Sequence, residues 1–229
     1  MPSRATPIEF KGVSFSYGDR RILVNTSFRV EPGESVAVVG PSGSGKSTLL
    51  HLASGLLSPD SGEVLVDGLS TGSSSVGCRS RMRRSQIGIV LQDASLLEEL
   101  TARENIELVL RDARMGRSEA RRVAMAALDR VGLKDVAGNY PHELSGGEAQ
   151  RVAVGRALAK SPMIVLADEP TGSLDASTTN TVASLLYASV RSALLVVTHD
   201  DAVARRADQI LTLDSQHPQS QKTDPGPNR

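Results

Sequence analysis

The feature that most constrains this chain is an eight-residue run, Gly40, Pro41, Ser42, Gly43, Ser44, Gly45, Lys46 and Ser47, which matches the pattern G-x-x-x-x-G-K-S in full. A short apolar run, residues 35–39, precedes it. The stretch that follows reads as a helix from Lys46 to about Ser54, stopped by Gly55 and followed by Pro59. Strand, glycine-rich turn and helix in that order form the setting in which this pattern binds phosphate. Glycines let successive backbone N–H groups turn inward, and the helix N-terminus adds the positive end of its dipole. Lys46 is placed to reach the β- and γ-phosphates, and Ser47 to ligate Mg²⁺ with Thr48 beside it. ATP and Mg²⁺ are the cofactors this implies. Kinases, GTPases and motors all share the loop, so the rest of the chain must say what the nucleotide is for.

The pattern along the chain predicts an α/β fold. Residues 8–17 and 22–30 read as strands around a turn at Gly18 and Asp19, an antiparallel β part at the N-terminus. Short apolar strands are expected at 35–39, 63–66, 87–91, 163–167, 193–198 and 209–213, with 68–80 a Gly/Ser-rich loop. Fully apolar strands alternating with helices imply a mostly parallel sheet covered on both faces. Between Leu91 and Met163 the alternation stops. Apolar positions recur there at three and four residues, predicting two helices over 101–131 with a break near Met115 and Gly116, and a third over 147–159. The expected organisation is one domain, 1–213, with a core of 1–92 and 160–213 and an inserted helical subdomain at about 93–159. The polar, Pro-rich residues 214–229 are expected to lack ordered structure.

The run 163–167 is unbroken apolar and ends in two acids, Asp168 and Glu169. Parallel α/β folds collect ligands at the carboxyl ends of their strands. Asp168 would emerge beside the loop and hold Mg²⁺, while Glu169 would polarise a water for in-line attack on the γ-phosphate. The alternative is that both acids cap the following loop. His199 ends the strand 193–198 at the same edge, where it would donate to the γ-phosphate, unless it is an ordinary strand-end residue.

Lys plus Arg and Asp plus Glu both total 26. That balance argues against nucleic acid as a partner, since phosphate-tracking proteins carry a basic surplus. Arg79, Arg81, Arg83 and Arg84 are the one basic run, read as a solvated loop or else a local patch. Cys78 is the single cysteine, which leaves no internal disulfide or cysteine metal cluster. No signal peptide or membrane-length apolar run is present. The expected location is therefore cytoplasmic, with any membrane role exerted through a partner.

Leu144, Ser145, Gly146, Gly147 and Glu148 resemble the signature motif of ATP-binding-cassette proteins, set before a helix and ahead of the acid-ended strand. A serine and two glycines at a helix N-terminus bind anions by the same physics as the first loop. The resemblance implies a P-loop NTPase fold in which two cassettes pack head to tail. ATP then lies between one chain's loop and the other's signature, in a homodimer or with a homologous cassette. It further implies adenine stacking on Tyr17, contact of Gln92 with Mg²⁺ or water, and communication across the dimer through Asp175. Tyr17 also reads simply as one more strand aromatic. Residues 167–175 and 140–144 look like the lipoprotein-release, macrolide-export and cell-division subgroup. That implies an ATPase coupled to integral membrane permease subunits, docked near Gln92 and residues 93–101, at the inner face of the cell membrane. A soluble or membrane-linked regulatory ATPase that moves no cargo is the alternative. The sequence departs from the family at Ala149, where glutamine is usual, and at Gly155 within the signature helix.

Overall fold

The computed structural model describes residues 6–188, 192–213 and 218–222. Strand β1, Ile8–Tyr17, alternates inward and outward and buries Ile8, Phe10, Val13 and Phe15. It turns at Gly18, with φ of 56°, into β2, Arg20–Val30, pairing antiparallel from Ile8 with Val30 to Tyr17 with Arg20. Along its other edge β1 pairs antiparallel with β4, Ser61–Val66, to which β5, Leu69–Ser70, is added. This small sheet has the order β2-β1-β4-β5.

The second sheet holds β3 (Ser35–Val39), β6 (Ile87–Val90), β7 (Ile164–Asp168), β8 (Ala193–Val197) and β9 (Gln209–Leu213). All five run parallel, in the order β9-β3-β8-β7-β6. Their runs are buried on both faces, β8 without exception, as the helices on either side require. Those helices are α1 (Lys46–Ala53), α2 (Val76–Gln86), α5 (Gly146–Leu158), α6 (Ala176–Tyr187) and α7 (Asp201–Ala204).

Between β6 and β7 the chain forms α3 (Ala102–Asp112), α4 (Arg117–Arg130) and α5. Thr101 and Glu104 close a reciprocal capping box at the start of α3. Ile106, Leu110, Ala124 and Leu128 lose all contact with water in a cluster of their own. Each leucine so buried contributes about 1.5–3 kcal/mol. Helix α5 belongs to two cores, with Val152 in this cluster and Val154 and Ala157 in the one beneath the parallel sheet.

One expectation fails. Residues 76–80 are the start of α2 rather than loop, capped by Ser75 accepting from the Cys78 N–H. Met82 is the only buried residue of α2, so no apolar period announced it. Arginine bonds hold it instead: Arg79 donates to the Ser58 hydroxyl and the Thr71 carbonyl, both at 3.0 Å, and Arg83 to the Gly55 carbonyl at 3.2 Å. Arg84 pairs with Asp112 of α3 at 3.0 Å. Three arginines of the basic run are thus committed within the chain. Within the C-terminal stretch, Pro218–Lys222 forms β10, an antiparallel edge strand on β9. Residues 214–217 and 223–229 lie outside those described.

Candidate functional site

The loop 40–47 leaves the end of β3 and turns with Gly43 at φ 78° and Gly45 at φ 99°, where Gly45 caps α1. These are left-handed angles that side chains resist. Gly40 has a further reason to be glycine, because a Cβ there would stand 2.4 Å from the Leu213 carbonyl oxygen of β9. The Lys46 ammonium donates to the carbonyls of Gly40 at 2.8 Å and Pro41 at 2.9 Å, arching over the loop. Ser44 and Thr48 are buried while Pro41, Ser42 and Ser47 are exposed, and the Ser44 hydroxyl has no partner.

A cleft of about 470 Å³ opens above this loop, lined among others by Tyr17, Lys46, Ser47, Gln92, Asp168, Glu169 and His199. Adjacent parallel strands bring the acids and the histidine together: β7 and β8 are in register with Asp168 opposite Val197. Glu169 sits just past β7 at φ 44°, a left-handed angle that costs about 1–3 kcal/mol for a non-glycine residue. Its Oε2 accepts from the His199 backbone N–H at 3.2 Å and lies 2.8 Å from His199 Nδ1. The carboxylate is largely shielded and the imidazole largely open. The two residues are therefore bonded to one another where both line the cleft.

Among the described residues no group of three or more His, Cys, Asp or Glu side chains could hold a metal alone. The hard oxygens of Ser47, Asp168 and Gln92 on one cleft suit Mg²⁺, which binds through few carboxylates and completes its octahedron with phosphate oxygens and water.

Tyr17 reaches the cleft half-exposed, held edge-on against Phe15 with ring centres 4.9 Å apart. Arg20 and Ile22 also line it and were missed in the sequence. The signal for Arg20 was the hairpin register, which sets it opposite Tyr17, but register is invisible before the strands are paired.

Ser145, Gly146, Gly147, Glu148 and Asp175 are not among the residues lining that cleft. Ser145 and Gly146 are exposed at the start of α5. Ser145 and Glu148 form a capping box, with the hydroxyl donating to Glu148 Oε2 at 2.7 Å and the backbone N–H at 2.8 Å. Those two bonds hold the Glu148 carboxyl below its ordinary range. Asp175 caps α6, accepting from Ser177 and Thr178 through both their hydroxyls, at 2.6 Å each, and their backbone N–H groups. These hydrogen bonds push its pKa far down. Gly147 lies against the same helix, since a Cβ there would meet Thr178 Cγ2 at 2.6 Å. Signature and cap thus form one exposed surface apart from the chain's own phosphate loop.

A sequence model of the family described as ABC transporter matches residues 23–172. The chain is 45% identical over 213 residues to the lipoprotein-releasing system ATP-binding protein LolD of Hyphomonas neptunium, covering 90% of this chain and 93% of that protein. It is 41% identical over 218 residues to an uncharacterized ABC transporter ATP-binding protein of Mycobacterium tuberculosis, covering 92% and 88%. A dimeric post-hydrolysis structure of the ATP-binding cassette MJ0796, bound to ADP and Pi, superposes with a TM-score of 0.86 at 37% identity, covering 94% of this chain and 98% of that one.

Proposed function

The chain belongs to the ABC transporter family, and from that membership we propose that two copies clamp ATP between them and turn its hydrolysis into movement of integral membrane permease subunits. It is an ABC ATPase and binds nucleotide as its family does. The observation that supports the rest is the separation just described: Lys46, Ser47, Asp168, Glu169 and His199 line one cleft, and the exposed N-terminus of α5 is not part of that lining. A site that cannot serve its own chain's nucleotide is suited to serve another's.

In this reading Lys46 and the N–H groups of residues 40–47 hold the β- and γ-phosphates, and Tyr17 stacks on the adenine. Ser47, Gln92 and Asp168 would hold Mg²⁺, which would supply positive charge to the phosphate oxygens. Glu169 orients a water and accepts its proton while the water oxygen attacks γ-phosphorus and ADP leaves. His199, fixed by Glu169, donates to the γ-phosphate. Ser145, Gly146, Gly147 and Glu148 of the second chain cover the phosphate from the far side, with Asp175 at the same seam. Closure lasts while ATP bridges the chains.

No helix among the described residues is long and apolar enough to cross a membrane. The permease would dock in a groove of about 460 Å³ between the lobes, lined by Leu91, Ser95, Arg83, Arg84, Arg156 and Lys160, with exposed Leu97 nearby. On this reading the protein works at the inner face of the cell membrane. The relatives named for lipoprotein release favour extraction or export over import.

The test is Glu169→Gln, purified and taken back through detergent-solubilised membranes with ATP and Mg²⁺. It should bind ATP, hydrolyse it at least about a hundredfold more slowly, since the water-polarising group is lost, and accumulate as a dimer. A polytopic membrane protein should come down with it. Hydrolysis at the wild-type rate would remove Glu169 from its role. A dimer that captures ribosomes or nothing would leave a regulatory ATPase in place of the transporter.

A further inference from the structure

Between Gln92, on the lip of the nucleotide cleft, and Thr101, the cap of α3, the chain has no regular secondary structure. Besides its own turn bonds, among them the Ala94 N–H to the Leu91 carbonyl and the Ser95 hydroxyl to Asp93, it is held from outside by three polar side chains. Gln150 of α5, 1% exposed, donates to the Leu91 carbonyl at 2.9 Å. Arg156, two turns further along the same helix, donates through one guanidinium nitrogen to the Ala94 carbonyl at 2.8 Å and through the other to that of Ser95 at 2.7 Å. Asn105 of α3 donates to the carbonyls of Leu97, Leu100 and Thr101 and accepts from the Leu97 N–H.

The conformation being held is an unfavourable one. Ala94 and Ser95 have φ of 60° and 45°, both in the left-handed region where Cβ crowds the backbone. Two such residues in succession persist only where their surroundings over-determine them. A planar guanidinium is suited to this, because its fork meets two carbonyls at once where an ammonium offers a point charge. Gln92, two residues before the turn, stands against the loop that follows Glu169: a Cβ at Gly172 would lie 3.3 Å from Gln92 Nε2. The place of Gln92 in the cleft therefore depends on the turn at 94–95.

We infer that Arg156, seconded by Gln150, is a positioning residue that clamps residues 91–95 in their left-handed turn and so fixes Gln92 against the catalytic loop. The inference rests on the ATPase reading above. Its consequence follows from where α5 begins. The helix that presents Ser145 to another copy at one end grips the backbone beside Gln92 further along, so a tilt of α5 as two chains close is delivered to the cleft through Arg156.

The experiment compares wild type, Arg156→Gln, Arg156→Lys, the pair Ala94→Gly with Ser95→Gly, and that pair combined with Arg156→Gln. ATP turnover is read against ATP concentration, and hydrogen exchange across residues 91–97. Arg156→Gln should lower kcat about tenfold, the scale of a small misplacement of a site group, with KM for ATP within about twofold. Exchange at 94–97 should rise, and Arg156→Lys should fall between the two. Glycines adopt the left-handed turn without strain, so the pair should return much of the lost kcat to Arg156→Gln, a rescue that general loss of packing would not show. Should Arg156→Gln fail to fold, the lysine variant and its glycine-pair combination carry the same comparison. Wild type without turnover would count against the ATPase reading, and the exchange data would still test the clamp. Turnover and exchange unchanged in both arginine variants, or a glycine pair that restores nothing, would overturn the inference.

Discussion

Gly40 is the residue on which the cleft most narrowly depends. Its φ of 155° and the 2.4 Å that would separate a Cβ from the Leu213 carbonyl leave no room for any side chain. Gly40→Ala should push the loop off β9, cost about 2 kcal/mol or more in denaturant stability, and weaken ATP binding at least tenfold by titration. The residues of the phosphate loop, Asp168, Glu169 and His199 were all legible in the sequence, because each follows a short strand directly and the chemistry is written locally. Arg20 was not, since only strand register sets it opposite Tyr17. Nor was the bond between Glu169 and His199, which are thirty residues apart and meet only because β7 and β8 are neighbours.

Among the elements, α5 does the most. Gly155 lies in its interior, and nothing in its surroundings demands glycine. A Cβ there would meet Ile106 Cδ1 at 3.5 Å and the Ala127 carbonyl at 3.6 Å, ordinary contacts. Gly155→Ala should therefore stabilise the protein by about 0.5–1 kcal/mol, read as a higher urea midpoint with unchanged slope. At the start of α5, Ser145→Ala should cost about 1 kcal/mol at neutral pH through loss of the cap. The Glu148 part of that loss has a defined pH window. Its folded pKa is depressed below 4.5, so the stabilisation is present above that value and is lost as pH falls through the depressed one. Melting curves of the two proteins should accordingly converge in acid. The strands and the helices of the inserted lobe could be read from apolar period. Helix α2 could not, because it is held by arginine-to-carbonyl bonds that leave no periodic trace.

At the scale of the whole molecule, the proposed function has one chain offering half of each of two sites. If the signature serves the other chain's nucleotide, inactive chains should complement. Lys46→Ala has a dead loop and an intact signature, and Ser145→Arg the reverse. Neither should dimerise with itself on ATP. Mixed, they should form a pair holding one ATP, counted by light scattering and by trapped nucleotide under conditions that stall hydrolysis. Sequence could show two glycine-bearing helix N-termini, at residues 40–47 and 145–148. That they face apart required the packing of α5 against α6, fixed by Gly147 and Thr178.

The two hydrogen bonds that Lys46 makes to the carbonyls of Gly40 and Pro41 have a consequence for selectivity among ions. Carbonyls satisfy the ammonium's geometry without cancelling its charge, so the loop keeps its positive field. A chloride ion must break or share those bonds in return for a single charge attracted at one point. A polyphosphate meets the lysine, the loop amides and the helix end together and recovers more than it displaces. If the loop holds phosphates as proposed, its own carbonyls should therefore favour an anion long enough to engage all of it over the ordinary electrolytes of its surroundings.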